Sequence, residues 1–293
     1  MLVPIQPSGT KPPLFFIHGL HGVMPLGRIF ADGLGSDQPI YAIHANGIDG
    51  RQPVLDDLRK MVTAYVHEIE AVRPTRPIVI GGMCDGTLAA IEVTRQLQKK
   101  GRQVGPLILA DPTPVPRQVV RHGVDARRPE VARQLYQRVS ANLLAYASRP
   151  YNEMPFDSSD PEQVHRATLA GVGTLVALAG FLPTPFSGPV QMIASAQRAA
   201  SLFHPQMPWH KLLTGPRTAL VLPWNHTQLF RSGRTTVAHA LKFMLEDGPT
   251  LETVTETQEL DAPTIEQYAP AIEGIAAKGL KQSDAGVHSN IER

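Results

Sequence analysis

The sequence predicts an α/β fold in which a mostly parallel, doubly wound sheet carries a helical insertion. Short apolar runs, of the length of buried strands, alternate with segments whose apolar residues recur at helical spacing. After Asp111 this alternation stops, only helical patterns follow, and strand-like runs resume at Val190. A glycine-rich turn joins the most apolar strand to the helix behind it, over 81–86. These three observations define the fold class.

The first half of the chain provides two strands and a helix. The apolar run 14–17 ends at His18-Gly19, and the run 39–43 follows a loop rich in glycine and aspartate. Apolar residues spaced by three and four predict an amphipathic helix over 56–72 that covers one face of the sheet. The opening of the chain is like an interdomain linker, which favours an excised terminal domain over a free-standing protein as the interpretation.

The next unit contains the central turn. The strand around 78–80 leads through Gly82-x-Cys84-x-Gly86 into a helix that begins near Leu88. That helix is predicted to end at Lys99-Lys100-Gly101, because cations in the last turn and a following glycine are favoured at helix C-termini. The run 106–110 is a further buried strand that ends at Asp111.

The helical insertion comprises two predicted helices and is interpreted as a lid over about 113–188. One helix covers 131–147. The other begins at Asp160-Pro161 and runs to Phe181, with an N-cap residue and a proline at the first helical position. Its apolar side is expected to form core or to line a substrate tunnel.

The remaining sheet strands are predicted at 190–194 and 219–222, and a last helix at 235–245. We therefore predict one domain over 1–247. Residues 248–293 have eight acidic residues against three basic ones and few large apolar side chains, which predicts an acidic tail with one short helix at 265–280 and a disordered end.

Composition excludes several classes of function. The net charge of +2 gives no general affinity for nucleic acid or for an anionic membrane. The single cysteine rules out an internal disulfide and a cysteine-based metal cluster. The N-terminus lacks the basic and apolar regions of a secretory signal, and the apolar stretch 167–182 is too short for a bilayer. A cytoplasmic protein is expected.

The turn Gly82-x-Cys84-x-Gly86 has the spacing of a nucleophile elbow, with cysteine at the position of the usual serine. A thiol at the start of a helix is exposed to the positive end of the helix dipole, which favours the thiolate. The alternative is that Cys84 is simply a small buried side chain.

A cysteine nucleophile needs a base and an acid that orients the base. Asp111 ends the strand after the nucleophile helix, and His226 follows the last strand, which gives the chain order expected of this fold. Asp111 before Pro112 is alternatively a turn residue, and His226 an ordinary loop histidine.

The oxyanion hole is predicted to combine the backbone amides of Leu20 and Asp85. His18 and His21 are expected to shape the Leu20 loop and not to transfer protons. Because a carboxylate beside a thiolate opposes ionisation, the Asp85 side chain is expected to point away or to be paired.

Several motifs together resemble the thioesterase domains that terminate non-ribosomal peptide synthetases and polyketide synthases. They are the opening 2–9 with 12–19, the run Leu107-Ile108-Leu109-Ala110-Asp111, and Asn225-His226-x-x-Leu229. The resemblance covers about residues 2–246. It departs from the family at Cys84, which replaces serine, and at Asp85, where an uncharged residue is typical.

This resemblance implies an α/β-hydrolase fold with a helical lid and a Cys84, His226 and Asp111 triad. It also implies an acyl or peptidyl carrier protein as partner, which presents the chain on phosphopantetheine, with no bound cofactor and no metal. The acyl-enzyme on Cys84 would be released by hydrolysis, aminolysis or cyclisation to water or a small-molecule acceptor. Seven arginines against two acids between Asp111 and Pro150 are a candidate carrier surface. The alternatives are a solvated helix face and a surface that pairs with the acidic tail. The arginines are Arg117, Arg121, Arg127, Arg128, Arg133, Arg138 and Arg149.

Two other functions remain open. Enzymes like dienelactone hydrolase also use G-x-C-x-G, but their acid is expected on a later strand than Asp111. The second is a non-catalytic binding protein on a hydrolase scaffold. The presence of an acid and a histidine at the positions expected for catalysis argues against this interpretation.

Overall fold

The computed structural model describes residues 2–246 except 25, 73, 75, 114–128, 150–153, 155 and 204–207. Within these residues the chain forms one seven-stranded sheet in the order β1-β3-β2-β4-β5-β6-β7. The strands are β1 (Leu2–Gln6), β2 (Leu14–Ile17), β3 (Ile40–Ile43), β4 (Val79–Met83), β5 (Leu107–Ala110), β6 (Val190–Ser195) and β7 (Arg217–Leu222). All neighbours pair in parallel except β1, which is antiparallel to β3. The predicted α/β class is confirmed.

Helices cover both faces of the sheet, and the alternation of side chains along β2 shows how the faces divide. Phe15 and Ile17 pack with α2 (Leu58–Ala71) and α3 (Thr87–Lys99). Leu14 and Phe16 pack with α1 (Gly27–Leu34) and α9 (Arg234–Glu246). Since successive strand residues point to opposite faces, each strand contributes to two cores.

The helical insertion lies between β5 and β6, as predicted. It contains α4 (Pro129–Ala147) and α5 (Pro161–Ala179), which pack on each other. The Asp160 side chain accepts hydrogen bonds from the amides of Glu162 and Gln163 at 2.9 and 3.3 Å, so α5 begins as expected. Leu143 of α4 and Ala167 and Ala170 of α5 form a third core under the insertion. The limits 113–188 stay a prediction.

Several elements were not predicted. Residues 2–6 were expected to be linker-like, yet they form the edge strand β1. The glycine-rich loop before β3 contains α1, and the segment after β6 contains α6 (Ala196–Phe203) and α7 (Pro208–Leu212). Gly33 lets α1 approach α9, since a Cβ there would lie 2.6 Å from Cβ of Ala238. Packing therefore stabilises a helix that intrinsic propensity disfavours.

The acidic tail and its short helix at 265–280 lie outside the described residues. Within the part of the chain that the structure describes, no helix is long and apolar enough to cross a membrane.

Candidate active site

Cys84 lies at the sharp bend between β4 and α3, at the start of a single 3-10 turn (Cys84–Gly86). Its φ of 52° falls in the left-handed region, which is uncommon for a residue with a side chain. The flanking glycines make the bend possible. A Cβ at Gly86 would lie 1.8 Å from the carbonyl oxygen of His18, and one at Gly82 would lie 2.8 Å from Cβ of Ala90.

His226 is the first residue of α8 (His226–Leu229), a short helix that follows β7. Asn225 caps this helix and forms a reciprocal pair of hydrogen bonds with Gln228. The His226 amide donates to Oε1 of Gln197 at 3.0 Å. These contacts fix the backbone, and the ring then places Nε2 3.3 Å from Sγ of Cys84.

Asp111 is fully buried directly after β5, next to β4, the strand that precedes Cys84. It also has a positive φ, 47°, which turns its carboxylate toward the histidine. Nδ1–H of His226 donates to Oδ2 at 2.5 Å, and the Ser195 amide donates to Oδ1 at 2.7 Å. The structure thus brings Cys84, His226 and Asp111 into one line of contacts, as the sequence predicted.

Arg198, on α6, is a further contact of the acid that sequence reasoning missed. Its Nη1 donates to the backbone oxygen of Asp111 at 2.7 Å and lies 3.5 Å from Oδ2. Burial by itself would raise the pKa of Asp111. The hydrogen bonds from His226 and Ser195 and the charge of Arg198 outweigh it and hold this pKa below its usual value.

His226 responds to opposing influences. Burial lowers its pKa, whereas the hydrogen bonds to Asp111 and Cys84, with the negative charge of the thiolate, raise it. The positive charge of Arg198 also lowers the pKa of His226. The balance raises the pKa of His226 to about 9, so the ring favours the imidazolium at neutral pH.

The thiol has two more polar neighbours, neither of which was expected. Thr113 Oγ1 lies 3.4 Å from Sγ, and Thr113 is held in place by Trp209, whose Nε1–H donates to its carbonyl oxygen at 2.9 Å. The Asp85 carboxylate was expected to point away or be paired. Instead, Sγ–H of Cys84 donates to Oδ2 of Asp85 at 3.3 Å. That expectation is wrong because the tight 3-10 turn directs consecutive side chains into the same cleft.

The loop after β2 closes over the nucleophile. Gly19 packs against Cys84, since a Cβ there would lie 3.4 Å from Cβ of Cys84. Burial lowers the pKa of His18 to about 4, so its ring is neutral, with Nδ1–H donating to the Gly19 oxygen at 2.6 Å and Nε2 accepting from the Tyr65 hydroxyl at 2.7 Å. This arrangement orders the segment that carries the Leu20 amide. The oxyanion roles of Leu20 and Asp85 remain predictions.

The predicted arginine cluster is only partly within the structure. Arg133 and Arg138 are exposed on α4, and Arg149 stacks on the ring of Tyr146 at 4.7 Å. The other four arginines lie outside the described residues. The described residues contain no group of three or more His, Cys, Asp or Glu side chains arranged to hold a metal ion.

Comparisons with known sequences agree with this architecture. Residues 12–148 match the family model described as the thioesterase domain. Malpinin synthetase of Mortierella alpina is 31% identical over 152 residues, which are 52% of this chain and 2% of the relative. Polyketide synthase PksR of Bacillus subtilis (strain 168) is 32% identical over 110 residues, which are 38% of this chain and 4% of the relative. The chain thus spans a small fraction of these relatives.

Solved structures show the same fold. The Vlm2 thioesterase domain bound with a dodecadepsipeptide superposes with a TM-score of 0.63 at 20% identity, covering 83% of this chain and 97% of that one. The type II thioesterase BorB from the borrelidin biosynthetic cluster gives a TM-score of 0.61 at 18% identity, with the same coverage. Together with the match over residues 12–148, these similarities confirm the predicted resemblance to thioesterase domains and the predicted α/β-hydrolase fold.

Proposed function

We propose that this protein releases an acyl or peptidyl chain from a carrier-protein phosphopantetheine thioester through an acyl-enzyme on Cys84. The observation that carries this proposal is the continuous line of contacts from Sγ through the His226 ring to Asp111, at 3.3 and 2.5 Å. A nucleophile, a base and an orienting acid in this order are what acyl transfer requires.

In the first step, Sγ attacks the carbonyl carbon of the carrier thioester. The thiol proton has moved to His226 Nε2 before the attack, as the raised pKa of the ring favours, and Asp111 holds the ring in orientation and stabilises the imidazolium. The amides of Leu20 and Asp85 are proposed to bind the oxyanion. The bond between the carbonyl carbon and the pantetheine sulfur then breaks, and the imidazolium returns its proton to the departing thiolate.

The partner proposed for this step is an acyl or peptidyl carrier protein. The relatives are synthetases and synthases, and a thioesterase domain acting within such an assembly receives its substrate from a carrier. No resident cofactor is proposed, because phosphopantetheine belongs to the carrier. The basic side of α4 is the proposed docking region.

In the second step an acceptor takes the acyl chain from Cys84. Attack on a carrier thioester by serine gives a more stable oxoester, whereas attack by cysteine exchanges one thioester for another. The acyl-enzyme therefore keeps its activation toward amines. If the apolar insertion excludes water, transfer or ring closure is favoured over hydrolysis.

The alternatives are weaker on specific grounds. The acid Asp111 ends the strand directly after the nucleophile helix, which is earlier than expected for an enzyme like dienelactone hydrolase. A scaffold that had lost catalysis would have no reason to keep His226 and Asp111 in hydrogen-bonded contact. Alkylation discriminates: fast reaction of Cys84 with iodoacetamide at pH 7 that requires His226 supports an enzyme, and a sluggish thiol supports the scaffold.

The direct experiment is intact-protein mass spectrometry after mixing the protein with a panel of acylated carrier proteins. A mass increase equal to the acyl group, absent in Cys84→Ala, identifies the acyl-enzyme and the accepted chain together. No adduct with any carrier would contradict the proposal.

The reason for cysteine is testable by product partitioning in Cys84→Ser. The serine variant should give more free acid, or stall as a stable oxoester, compared with the parent. Equal ratios of amide to acid in both proteins would show that sulfur does not direct the outcome.

A further inference from the structure

We propose that the Asp85 side chain binds the acceptor in the second step, and that the acceptor class is a protonated primary amine. This inference rests on the proposed function, because it assigns the second substrate of the same site. It arises from the contact between Cys84 and Asp85, one of the two contacts of the nucleophile that sequence reasoning did not anticipate.

The sulfur of Cys84 lies between two ionisable side chains. His226 Nε2 and Asp85 Oδ2 are each 3.3 Å from Sγ. The imidazolium of His226 can donate to the sulfur, whereas the Asp85 carboxylate can only accept a hydrogen bond, and only from the thiol form. The triad explains the contact with His226, and acyl transfer to sulfur makes no use of the carboxylate.

Acylation changes what the carboxylate can bind. In the acyl-enzyme, sulfur carries no hydrogen, so Asp85 loses its donor while remaining beside the reacting atoms. The acyl carbonyl carbon is bonded directly to that sulfur. A cation held by Oδ2 at a charge-assisted distance of about 2.8 Å would therefore lie next to the carbon that must be attacked.

The charge around Asp85 favours a cationic ligand. In the described part of the chain, no lysine or arginine forms an ion pair with Asp85. His21, which senses the Asp85 charge, is neutral because burial lowers its pKa to about 4. Arg149 is engaged with Tyr146. A half-buried carboxylate in this position attracts a positive charge more strongly than one in bulk water.

The reaction balances with the residues present. The bound ammonium first loses one proton to solvent and becomes a nucleophilic amine. Its nitrogen attacks the carbonyl carbon, the carbon–nitrogen bond forms, and the carbon–sulfur bond breaks with its electron pair on Sγ. The second proton of the amine passes through His226 Nε2 to Sγ. The products are an amide and the free thiol of Cys84.

The test measures product partitioning, because amide and acid arise from one acyl-enzyme. Changes in acylation rate or in folded fraction therefore cancel in the ratio of amide to acid. Two probe nucleophiles of similar size are compared at pH 7.5: propylamine, which is protonated, and methoxyamine, which is neutral. The acyl donor is the carrier thioester that loads Cys84.

The variants are Asp85→Asn and Asp85→Ser. Both keep the backbone amide proposed for the oxyanion hole, and both residues are tolerated at a helix start. Having two variants keeps the test usable if one fails to fold. Asp32→Asn, which removes an exposed carboxylate from α1, is the matched control for the change in net charge.

In the Asp85 variants, the amide-to-acid ratio with propylamine should fall about tenfold, the loss expected of one charge-assisted contact. The ratio with methoxyamine should stay unchanged, and Asp32→Asn should match the parent with both probes. Unchanged ratios, or equal changes for both nucleophiles, would overturn the assignment, while the acyl-Cys84 adduct would still support the proposed function. Absence of that adduct in the parent would overturn both.

Discussion

The Asp111 carboxylate is the most firmly held charge of the site, because a ring N–H, a backbone amide and the Arg198 guanidinium all surround it. A buried acid with these partners stays ionised and can stabilise the imidazolium that forms at His226. At the scale of single residues, the site thus depends on the chain of contacts that ends at Asp111.

The first prediction concerns the three residues of that chain. Cys84→Ala and His226→Ala should each reduce kcat/KM by on the order of 10³-fold or more, because each removes a group that forms or breaks a bond. Asp111→Asn should leave a small residual activity, since the acid mainly orients the histidine. Release of product from an acylated carrier is the measurement. Full activity of Asp111→Asn would mean that another residue is the acid that orients His226.

The second prediction concerns pH and stability. The folded pKa of His226 is about 9, above the unfolded value of 6.5. The contribution of protonated His226 to the free energy of unfolding is therefore complete below pH 6.5 and is lost as the pH rises through 9. In urea unfolding, the advantage of the parent over His226→Gln should shrink by roughly 3 kcal/mol between pH 6 and pH 9.5.

The control for this pH effect is the same comparison in an Asp111→Asn background. Without the carboxylate, the largest influence that raises the pKa of His226 is gone. The difference in unfolding free energy between Asp111→Asn with His226 intact and Asp111→Asn combined with His226→Gln should then depend little on pH. A pH dependence that survives Asp111→Asn would show that the contact does not set the titration.

At the scale of elements, the bend from β4 to α3 sets the position of the nucleophile. The carbonyl oxygen of His18 lies where a Cβ on residue 86 would have to be, so the β2 loop and the start of α3 meet through a glycine. The same loop carries the Leu20 amide. One close approach therefore couples the nucleophile to the proposed oxyanion hole.

The third prediction follows from that contact. Gly86→Ala should destabilise the protein by roughly 3 kcal/mol, because backbone atoms on both sides must move apart. Gly180→Ala is the matched control, since a Cβ there meets only Val176 O at 3.7 Å and φ is −83°. Urea denaturation of both variants gives the comparison. Equal stabilities would mean that the bend tolerates a side chain.

At the scale of the whole molecule, the parallel sheet brings the ends of β4, β5 and β7 to one edge. The insertion between β5 and β6 packs on the β2 loop, where Gly171 of α5 lies near Leu20 and Tyr146 of α4 contacts the His21 ring. The proposed carrier protein is therefore expected to approach beside the insertion. Carrier proteins and the phosphate of their prosthetic group are acidic, and arginine suits phosphate.

The fourth prediction is that carrier-dependent activity is sensitive to salt and to the arginines of this region. The kcat/KM with carrier-bound substrate should fall as ionic strength rises. Charge reversal of Arg133 and Arg138 on α4, or of Arg127 and Arg128, should weaken it further. Arg28→Glu, on the exposed side of α1, is the control. A carrier-dependent rate unaffected by salt and by reversal would exclude this docking face.

The sequence by itself determined the alternation of strands and helices, the position of the bend at Cys84 and the places of Asp111 and His226. These are local signals: short apolar runs form strands, glycines permit close turns, and parallel strands present their carboxyl ends at one edge. The start of α5 at Asp160-Pro161 was predictable for the same reason. Short elements such as β1 and α6 had no comparable local signal.

Only the tertiary structure decided which side chains surround the triad. Arg198 and Gln197 lie on a helix after β6, and Thr113 and Trp209 are far apart in the chain, so their contacts depend on how α6 and α7 pack against the sheet edge. The direction of the Asp85 carboxylate likewise depends on the 3-10 turn. Sequence patterns specify which backbone conformation a segment prefers. The direction of a side chain in a cleft is set by the packing of all the elements that surround the cleft.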